Sequence, residues 1–416
     1  MNASGGVAAP RRAAVAFIFI TIFLDMLALG MIIPVLPSLI EDFLGGNTAD
    51  AAKIYGVLGS VWAVMQFFSM PVMGALSDRF GRRRVILLSN LGLGLQYVLM
   101  ALAPSLRWLF IARVVSGIAA ASVSTAMAYV ADVTPPEKRA AGFGMMGVAF
   151  GAGFVMGPAI GGLLGSMGPR LPFWAAAAAS LANALYGLLV LPESLPPSKR
   201  RPFEWRRANP IGSFKLLRSH PELSGLAAVT FLSNLAHTVL PSTMVLYASY
   251  RYGWDEKTVG IALAVIGICS AIVQGGLVGP LVRRFGERKI LLFGLICGAA
   301  GFLIYALAET GRVYAAGIPV FALWGLASAS VQGLMTRLVD STEQGGLQGA
   351  NGSIIGIATM IGPMMFAGTF AYFIGDNAPW HVPGAAYLLA SLVLSAAALL
   401  AARVTHPSRL MARTHH

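Results

Sequence analysis

The sequence contains few charged residues. Only 11% of its 416 residues are Asp, Glu, Lys or Arg, whereas soluble domains carry about 25%. Cysteine is also scarce: Cys269 and Cys297 both fall within apolar stretches and lack the spacing of metal ligands. These absences argue against a soluble enzyme and against a disulfide-stabilised fold. We expect neither a metal nor a cofactor.

Acidic residues are outnumbered, with 17 Asp and Glu against 30 Lys and Arg. No basic patch with interleaved aromatic residues occurs, so a nucleic-acid partner is not expected. Most Lys and Arg fall in the segments that are cytoplasmic if the N-terminus is inside. The external loops then hold only Lys53, Arg107, Arg170, Arg251, Lys257 and Arg312. This bias predicts that both termini are cytoplasmic.

Long apolar runs dominate the chain, which is 56% hydrophobic with a mean hydropathy of +0.72. Runs of about 20 residues cross a ~30 Å hydrocarbon core, and in lipid they must be helical. The sequence therefore predicts an all-α, multi-pass protein of the cell inner membrane with twelve transmembrane helices. The predicted spans are 14–36, 54–76, 84–103, 108–130, 142–165, 172–192, 224–249, 258–282, 290–308, 313–335, 348–374 and 385–403.

The chain also repeats itself at an offset of 205 residues. The segment that starts at Gly74 returns at Gly279, and Gly157-Pro158 returns as Gly362-Pro363. An offset of six spans gives both halves the same orientation, as parallel repeats. We expect an N-terminal six-helix bundle at 1–192, a cytoplasmic linker at 193–222 and a C-terminal six-helix bundle at 223–416.

The loop between spans 2 and 3 contains Gly74, Asp78, Arg79, Gly81, Arg82 and Arg83. This pattern resembles the signature of the major facilitator superfamily. The resemblance implies that this loop forms a cytoplasmic gate. Asp78 is placed to accept bonds from a helix N-terminus, and Arg82 can reach Asp132 at the end of span 4. A basic loop that only fixes topology is the alternative.

Span 5 carries small residues that resemble the antiporter motif of the same superfamily: Gly153, Gly157, Pro158, Gly161 and Gly162. Small residues at this spacing let helices approach closely, and the proline introduces a bend. The resemblance implies a proton-driven exporter. Ordinary helix packing is the alternative.

Two further segments are Leu24 to Pro37 in span 1 and Ala112 to Gly117 in span 4. Within the superfamily, they resemble the pattern of the bacterial tetracycline/proton antiporters. Three ionisable positions of that family are different here: Gln96 and Gly298 replace acids, and Ser270 replaces a histidine. The resemblance therefore does not carry over tetracycline as the substrate.

Three ionisable residues fall inside spans. Asp25 is the only acid near the middle of a span, where a charge costs about 2.5–3.5 kcal/mol on insertion scales, so it is a candidate for proton coupling. Its alternative is a structural role near Gly30 and Pro34. Arg113 in span 4 binds an anionic group, pairs with Asp25, or extends to the surface. His237 in span 7 is a second candidate for proton coupling, or a packing residue.

In the major facilitator fold, spans 1, 4, 7 and 10 line a central cavity. The residues expected at the substrate cavity are Asp25, Arg113, Asn234, His237, Gln274 and Gln332. The leading hypothesis is a monomeric, proton-coupled antiporter that exports a small organic or amphiphilic compound by alternating access. A facilitator or proton-coupled importer is the alternative, and a non-transporting receptor or lipid-handling protein is the alternative of another class. An enzyme is not expected.

Overall fold

The computed structural model describes residues 8–120, 122–135, 138–203, 221–340 and 343–406. Within these residues the backbone forms helices and turns and no strand. Twelve helical segments in this described part of the chain are long and apolar enough to cross a membrane, which confirms the predicted all-α membrane fold. Spans 1 to 12 are Ala16–Phe43, Thr48–Phe80, Arg82–Leu102, Leu106–Val133, Ala141–Met167, Leu171–Val190, Leu223–Tyr252, Glu256–Phe285, Glu287–Leu307, Gly311–Thr336, Gln344–Ile374 and Ala385–Val404.

Several spans are longer than the apolar runs that predicted them. Span 2, predicted at 54–76, is a helix from Thr48 to Phe80. Polar residues such as Asp50 and Arg79 extend its ends, because a helix can continue beyond the hydrocarbon once its side chains reach water. Most of the predicted linker, residues 204–220, lies outside the described residues, but a 3₁₀ turn forms at Pro197–Lys199.

Among the described residues, spans 1, 7 and 10 each contain a clear interruption, and span 4 consists of Leu106–Ala119 and Ser122–Val133. In span 1 the helix Ala8–Ile32 ends before Leu36–Phe43 begins. In span 7, Pro221–His237 is followed by Val239–Tyr252. Span 10 consists of Gly311–Ala322 and Gly325–Thr336. Proline explains two of these breaks: the Pro34 and Pro241 rings clash with the carbonyls four residues earlier, at Gly30 and His237.

Span 8 is continuous but irregular. The α-helix Glu256–Ile272 passes into a π-helical segment, Val273–Leu277, before the short helix Val278–Phe285. Such π-segments are rare and are frequent at functional sites. The Gly275-Gly276 pair lies inside this segment, where it lowers the local preference for a regular α-helix.

The chain forms two compact units. Unit 1 comprises Met1–Leu39, Val61–Asn209 and Asp255–Ala264, and unit 2 comprises Ile40–Ser60, Pro210–Trp254 and Val265–His416. Each unit therefore includes one short segment from the other half of the sequence. The division into bundles at 1–192 and 223–416, with a linker at 193–222, stays a prediction.

The interior of unit 1 centres on span 1. Phe17, Ile18 and Ile22 are almost completely buried and pack with Ile86 of span 3 and Tyr129 of span 4. Burial of such side chains is worth about 1.5–3 kcal/mol each against water, although in lipid close packing contributes more than the hydrophobic effect.

Unit 2 has an aromatic interior. The Tyr305 and Tyr314 rings are stacked with centroids 4.1 Å apart, and Tyr247 packs edge-on against Tyr387 at 4.9 Å. The Tyr247 hydroxyl donates to the carbonyl oxygen of Tyr305 at 2.7 Å. Aromatic pairs of this kind contribute about 0.5–1.5 kcal/mol beyond their buried area, so they stiffen the frame that holds spans 7, 9, 10 and 12 together.

Candidate functional site

Asp25 lies inside unit 1 and is only 7% exposed. Its Oδ1 accepts a hydrogen bond from Asn183 Nδ2 of span 6 at 3.2 Å. Thr21, one turn before Asp25, orients this amide: its hydroxyl donates to Asn183 Oδ1 at 3.1 Å, and its carbonyl oxygen accepts from Nδ2 at 3.3 Å. The carboxyl group is therefore held by a neutral donor whose orientation is fixed.

Two further groups join Asp25 in the interior of unit 1. Tyr97 of span 3 is 2% exposed, and its phenol interacts electrostatically with both Asp25 and Arg113. Arg113 of span 4 is itself 8% exposed. The structure thus brings Asp25 and Arg113 into one buried polar cluster with Tyr97 and Asn183. Charges so far from water interact more strongly than they do at a surface.

The glycines of span 5 lie directly against the part of span 1 that carries Asp25. A Cβ on Gly153 would lie 2.6 Å from the carbonyl oxygen of Phe23, and one on Gly157 would lie 2.6 Å from the Cα of Gly30. A Cβ on Gly161 would overlap the backbone of Met31. These three positions recur every four residues and form one face of the helix. Their partner is the backbone on both sides of Asp25.

The other two residues of this motif have different contacts. Gly162 packs against the backbone of Glu256 at the start of span 8, within unit 1, and its Cα lies 3.1 Å from the position of a Cβ on Gly260. Pro158 lies beside Gly30, with its Cδ 2.9 Å from a Cβ built there. The proline therefore fills the space that the glycine leaves.

At the end of span 2, the signature loop forms an ion-pair network around Arg82. Its Nη1 lies 2.7 Å from Asp78 Oδ1, and its Nε lies 3.2 Å from Asp132 Oδ2 of span 4. The same Nη1 donates to Ser77 Oγ at 2.5 Å. Gly81 adopts φ +101°, in the region that favours glycine, and ends span 2.

The beginning of the predicted linker packs on this network. Glu193 Oε1 accepts the backbone N–H of Arg82 at 2.9 Å, and Ser194 Oγ donates to Asp132 Oδ2 at 3.1 Å. The Glu193 carboxylate occupies the space beside Gly81 that a side chain there would fill. Arg83 donates to the carbonyl oxygen of Leu188 at 2.7 Å, whereas Arg79 lies over the ring of Phe80 at 5.0 Å. Gly74 has open space around it.

A second ion pair occupies the corresponding place in unit 2. Glu287, the first residue of span 9, lies 2.9 Å from Arg337, which follows span 10. The Glu287 side chain is only 12% exposed, whereas that of Arg337 is 74% exposed. The carboxylate fits because Gly333 has no side chain: a Cβ there would lie 2.7 Å from Glu287 Oε1.

His237 lies in unit 2 at the break of span 7 and stacks on Trp324, at the break of span 10. The ring centroids are 5.0 Å apart and the planes are inclined by 25°. The indole N–H of Trp324 donates to Ser233 Oγ at 3.1 Å. His237 is the exposed member of this stack, whereas Trp324 is half-buried.

The remaining cavity candidates in unit 2, Asn234, Gln332 and Gln274, each have contacts of their own. Asn234 donates back to the carbonyl oxygen of Thr230 at 2.8 Å, and Gln332 accepts from Asn351 Nδ2 at 2.7 Å. Gln274 is exposed, and its Cγ lies 3.2 Å from the position of a Cβ on Gly325, the residue after Trp324. Gln274 is therefore the member of this group beside the His237–Trp324 stack.

The structure explains why position 298 is a glycine. A Cβ at this position would lie 2.7 Å from Trp324 Cδ1 and 2.9 Å from a Leu394 methyl carbon. The indole therefore occupies the place where a side chain of span 9 would project, and an acid there would clash. Gln96 is buried in span 3, and Ser270 is partly buried in span 8. The described residues contain no group of three His, Cys, Asp or Glu that could hold a metal.

Sequence reasoning did not single out Asn183, Tyr97, Glu193 or the Glu287–Arg337 pair. Asn183 and Tyr97 give no sequence signal that points to Asp25, since contact between spans 1, 3 and 6 depends on tertiary packing. The second ion pair was detectable, because Glu287 and Arg337 each lie 205 residues after a member of the Arg82–Asp132 pair.

Known proteins are similar to this chain in sequence and in fold. The profile of the Major Facilitator Superfamily matches residues 18–363 and, in a second match, residues 226–413. Tetracycline resistance protein class C of Escherichia coli is 37% identical, covering 89% of this chain and 93% of that protein. Class G of Vibrio anguillarum is 35% identical, covering 92% of this chain and 97% of that protein.

Two solved structures are similar in fold. The human organic anion transporter MFSD10 (TETRAN) superposes with a TM-score of 0.69 at 24% identity, covering 94% of this chain and 99% of that chain. The nucleoside transporter NupG superposes with a TM-score of 0.77 at 13% identity, with the same two coverages. The family profile and the relatives cover most of the twelve spans. The chain therefore belongs to the Major Facilitator Superfamily and is a multi-pass membrane transporter that resembles the tetracycline resistance proteins.

Proposed function

We propose that this transporter is a proton-coupled antiporter that exports a small organic or amphiphilic compound. It works by alternating access, as a monomer in the inner membrane with both termini in the cytoplasm. The observation that carries the proposal is the placement of Asp25: a carboxyl group at mid-span, 7% exposed, held by Asn183 at 3.2 Å. Intramembrane ionisable residues of this kind mark proton relays.

The chemistry of this site suits a proton carrier. The carboxyl group can be neutral with a proton or negative without one, and its Asn183 donor is uncharged. Binding a proton therefore changes the net charge of the cluster that Asp25 forms with Arg113. That change acts on span 1, which packs against the glycines of span 5 with no intervening side chains at Gly153 and Gly157. A shift of one helix must move the other.

The Arg82 network supplies the cytoplasmic gate in this proposal. Arg82 ties the end of span 2 to the end of span 4 through Asp78 and Asp132, at 2.7 and 3.2 Å. Each pair is partly exposed and worth about 0.2–1 kcal/mol alone. A network of this strength can form and break during a transport cycle.

The relatives support the direction of transport. Those at 34–37% identity are named tetracycline resistance proteins, and resistance through a membrane transporter is consistent with export. The substrate cavity in this proposal is lined by the residues predicted from the sequence, with His237 as a second group for proton coupling.

A facilitator or importer is the second candidate. It is favoured by one specific observation, the presence of Gln96, Ser270 and Gly298 where the tetracycline antiporters carry ionisable residues. With those groups replaced, Asp25 has fewer partners for moving protons across the unit.

Proton movement separates a coupled exporter from a facilitator. The protein is reconstituted in liposomes that contain a pH-sensitive dye, and tetracycline with Mg²⁺ and acridone, an uncharged tricyclic compound, are added in turn. Coupled export predicts a pH change in the lumen that depends on both the protein and the compound. Uptake of either compound without a pH change would instead identify a facilitator.

A further inference from the structure

The second unit contains an aromatic platform formed by Trp324 and by His237, the second group proposed for proton coupling. Trp324 and His237 stack with ring centroids 5.0 Å apart. We propose that this platform, with Gln274 at its edge, is the substrate-binding site for an uncharged, planar aromatic compound. The inference rests on the proposed transport function and adds the class of compound.

The platform lies where three helices lose their regularity. The helix of span 7 ends at His237, and the second helix of span 10 begins at Gly325, directly after Trp324. Gln274 belongs to the π-segment Val273–Leu277 of span 8. Irregular backbone at membrane depth is tolerated where it lines a cavity, and interrupted helices form substrate sites in transporters.

The indole is held in one orientation. Its N–H donates to Ser233 Oγ at 3.1 Å, which fixes the ring edge. Gly298 provides the space on the other side, since a Cβ there would lie 2.7 Å from Trp324 Cδ1. A site held by a hydrogen bond and by close packing loses little conformational entropy when a ligand binds.

His237 makes the platform accessible. The residue is exposed, so a planar ligand can reach its ring. The exposed Gln274, beside Gly325, places an amide donor and acceptor at the rim. Aromatic rings bind by stacking on such faces, and a few polar groups fix their orientation.

The distribution of charged residues in spans 7, 8 and 10, which form the platform, favours an uncharged ligand at this position. Every charged residue of spans 7, 8 and 10 lies close to a span end: Arg251, Glu256, Lys257, Arg283, Arg284 and Arg312. A cationic ligand would therefore find no carboxylate at this depth in these three spans, and an anionic ligand would find no Lys or Arg. Burying an unpaired charge here would be costly.

Binding to the purified protein in lipid nanodiscs tests the proposal. The probe is acridone, a fluorescent, uncharged tricycle with one carbonyl acceptor, and its anisotropy is measured without any pH gradient. Empty nanodiscs correct for partition into lipid. The cationic tricycle acridine orange is the comparison. We expect acridone to bind the wild type saturably and at least about tenfold more tightly than acridine orange. This ratio corresponds to a difference of ~1.4 kcal/mol in binding free energy.

Three variants locate the site. Trp324→Ala should weaken acridone binding by about tenfold or more, and Trp324→Phe should weaken it less because a ring remains. Gly298→Ala should also weaken binding, since its methyl group displaces the indole without removing any polar atom. Gly368→Ala is the matched control, because a Cβ at Gly368 meets nothing within 4 Å.

Equal acridone affinity in the wild type, Trp324→Phe and Gly298→Ala would overturn the proposal, as would tighter binding of acridine orange. Absence of saturable acridone binding to the folded wild type would do the same. Since these measurements use no proton gradient, a failure of proton coupling leaves their outcome unaffected. An absence of acridone binding at the platform would likewise leave the result of the proton measurements on Asp25 unaffected.

Discussion

Glu287 pairs with Arg337 at 2.9 Å in unit 2 and repeats, with the charges exchanged, the Arg82–Asp132 pair of unit 1. Each member lies 205 residues after its counterpart. The two halves thus have an ion pair at the same position, between spans 3 and 4 and between spans 9 and 10, with the positive and negative residues exchanged. Arg82 is attracted by Asp132 and would be repelled by Arg337, so the charges distinguish the correct partner helix from its counterpart in the other half.

Reversing the charges of the Glu287–Arg337 pair should show whether the pair stabilises unit 2. Glu287→Arg alone places two positive charges together, and we expect it to lower the free energy of unfolding by about 1 kcal/mol. Combining it with Arg337→Glu should restore most of that loss. Thermal unfolding in detergent measures both effects. A double variant no more stable than Glu287→Arg alone would show that the pair contributes nothing.

The glycine face of span 5 should be intolerant of a single methyl group. Gly161→Ala forces a Cβ into the backbone of Met31, and Gly157→Ala forces one to 2.6 Å from Gly30. Overpacking of this kind costs about 1–3 kcal/mol, and it separates span 1 from span 5 near Asp25. We expect lower thermal stability and slower transport from both variants.

Gly147 and Gly151 provide the control for this prediction, since a Cβ at either position meets nothing within 4 Å. Their alanine variants should resemble the wild type, or be slightly more stable because alanine favours a helix. Equal effects at all four positions would contradict the assigned contact face.

The Asn183 amide should matter for stability as well as for coupling. Asn183→Ala removes the donor to Asp25 and the acceptor for Thr21 in a buried place. Unsatisfied buried polar groups cost about 1–3 kcal/mol. We expect a lower midpoint of thermal unfolding than for Asn377→Ala, which alters an exposed residue. If the two variants unfold at the same temperature, the Thr21–Asn183–Asp25 network is not a stabilising element.

Asp255 should make the start of span 8 sensitive to acid. It accepts the backbone N–H of Thr258 at 2.8 Å, and hydrogen bonds with Thr258 hold the pKa of its carboxyl below the ordinary value of 3.8. A lowered pKa stabilises the fold above that value, and the stabilisation disappears as the pH falls through the lowered pKa. Asp255→Ala should therefore lower the unfolding temperature at pH 7 by removing a cap worth about 0.5–2 kcal/mol.

The difference in unfolding temperature between the wild type and Asp255→Ala should become smaller below about pH 4. Unfolding curves at several pH values measure this. A difference that stays constant down to pH 3 would show that the ionised carboxylate is not what stabilises the helix start.

Much of the architecture follows from the sequence, because lipid permits only hydrogen-bonded helices of a certain length. The twelve apolar runs give the twelve spans, and the 205-residue offset pairs their equivalents. The helix breaks are partly predictable: Pro241 lies four residues after His237 and disrupts the hydrogen bond there. The break at Trp324 has no such signal.

The candidate site was less predictable. Asp25 and Arg113 stand out because charges are rare in spans, but nothing in the sequence shows that Asn183 and Tyr97 meet them. Gly298 reads as a lost acid until the structure places the Trp324 indole in its space. Contacts between helices that are distant in sequence depend on packing, which a single sequence does not encode in a readable pattern.

Proton-driven transport by an Asp25→Asn variant tests the account most directly. The substitution keeps the size and the polarity of the side chain but removes the carboxyl group that binds and releases a proton. Asp42→Asn is the matched control, because Asp42 is exposed near the end of the same span. In proteoliposomes with an imposed pH gradient, we predict that Asp25→Asn loses concentrative transport but still exchanges labelled for unlabelled compound, whereas Asp42→Asn behaves as the wild type. Full gradient-driven accumulation by Asp25→Asn would contradict the account.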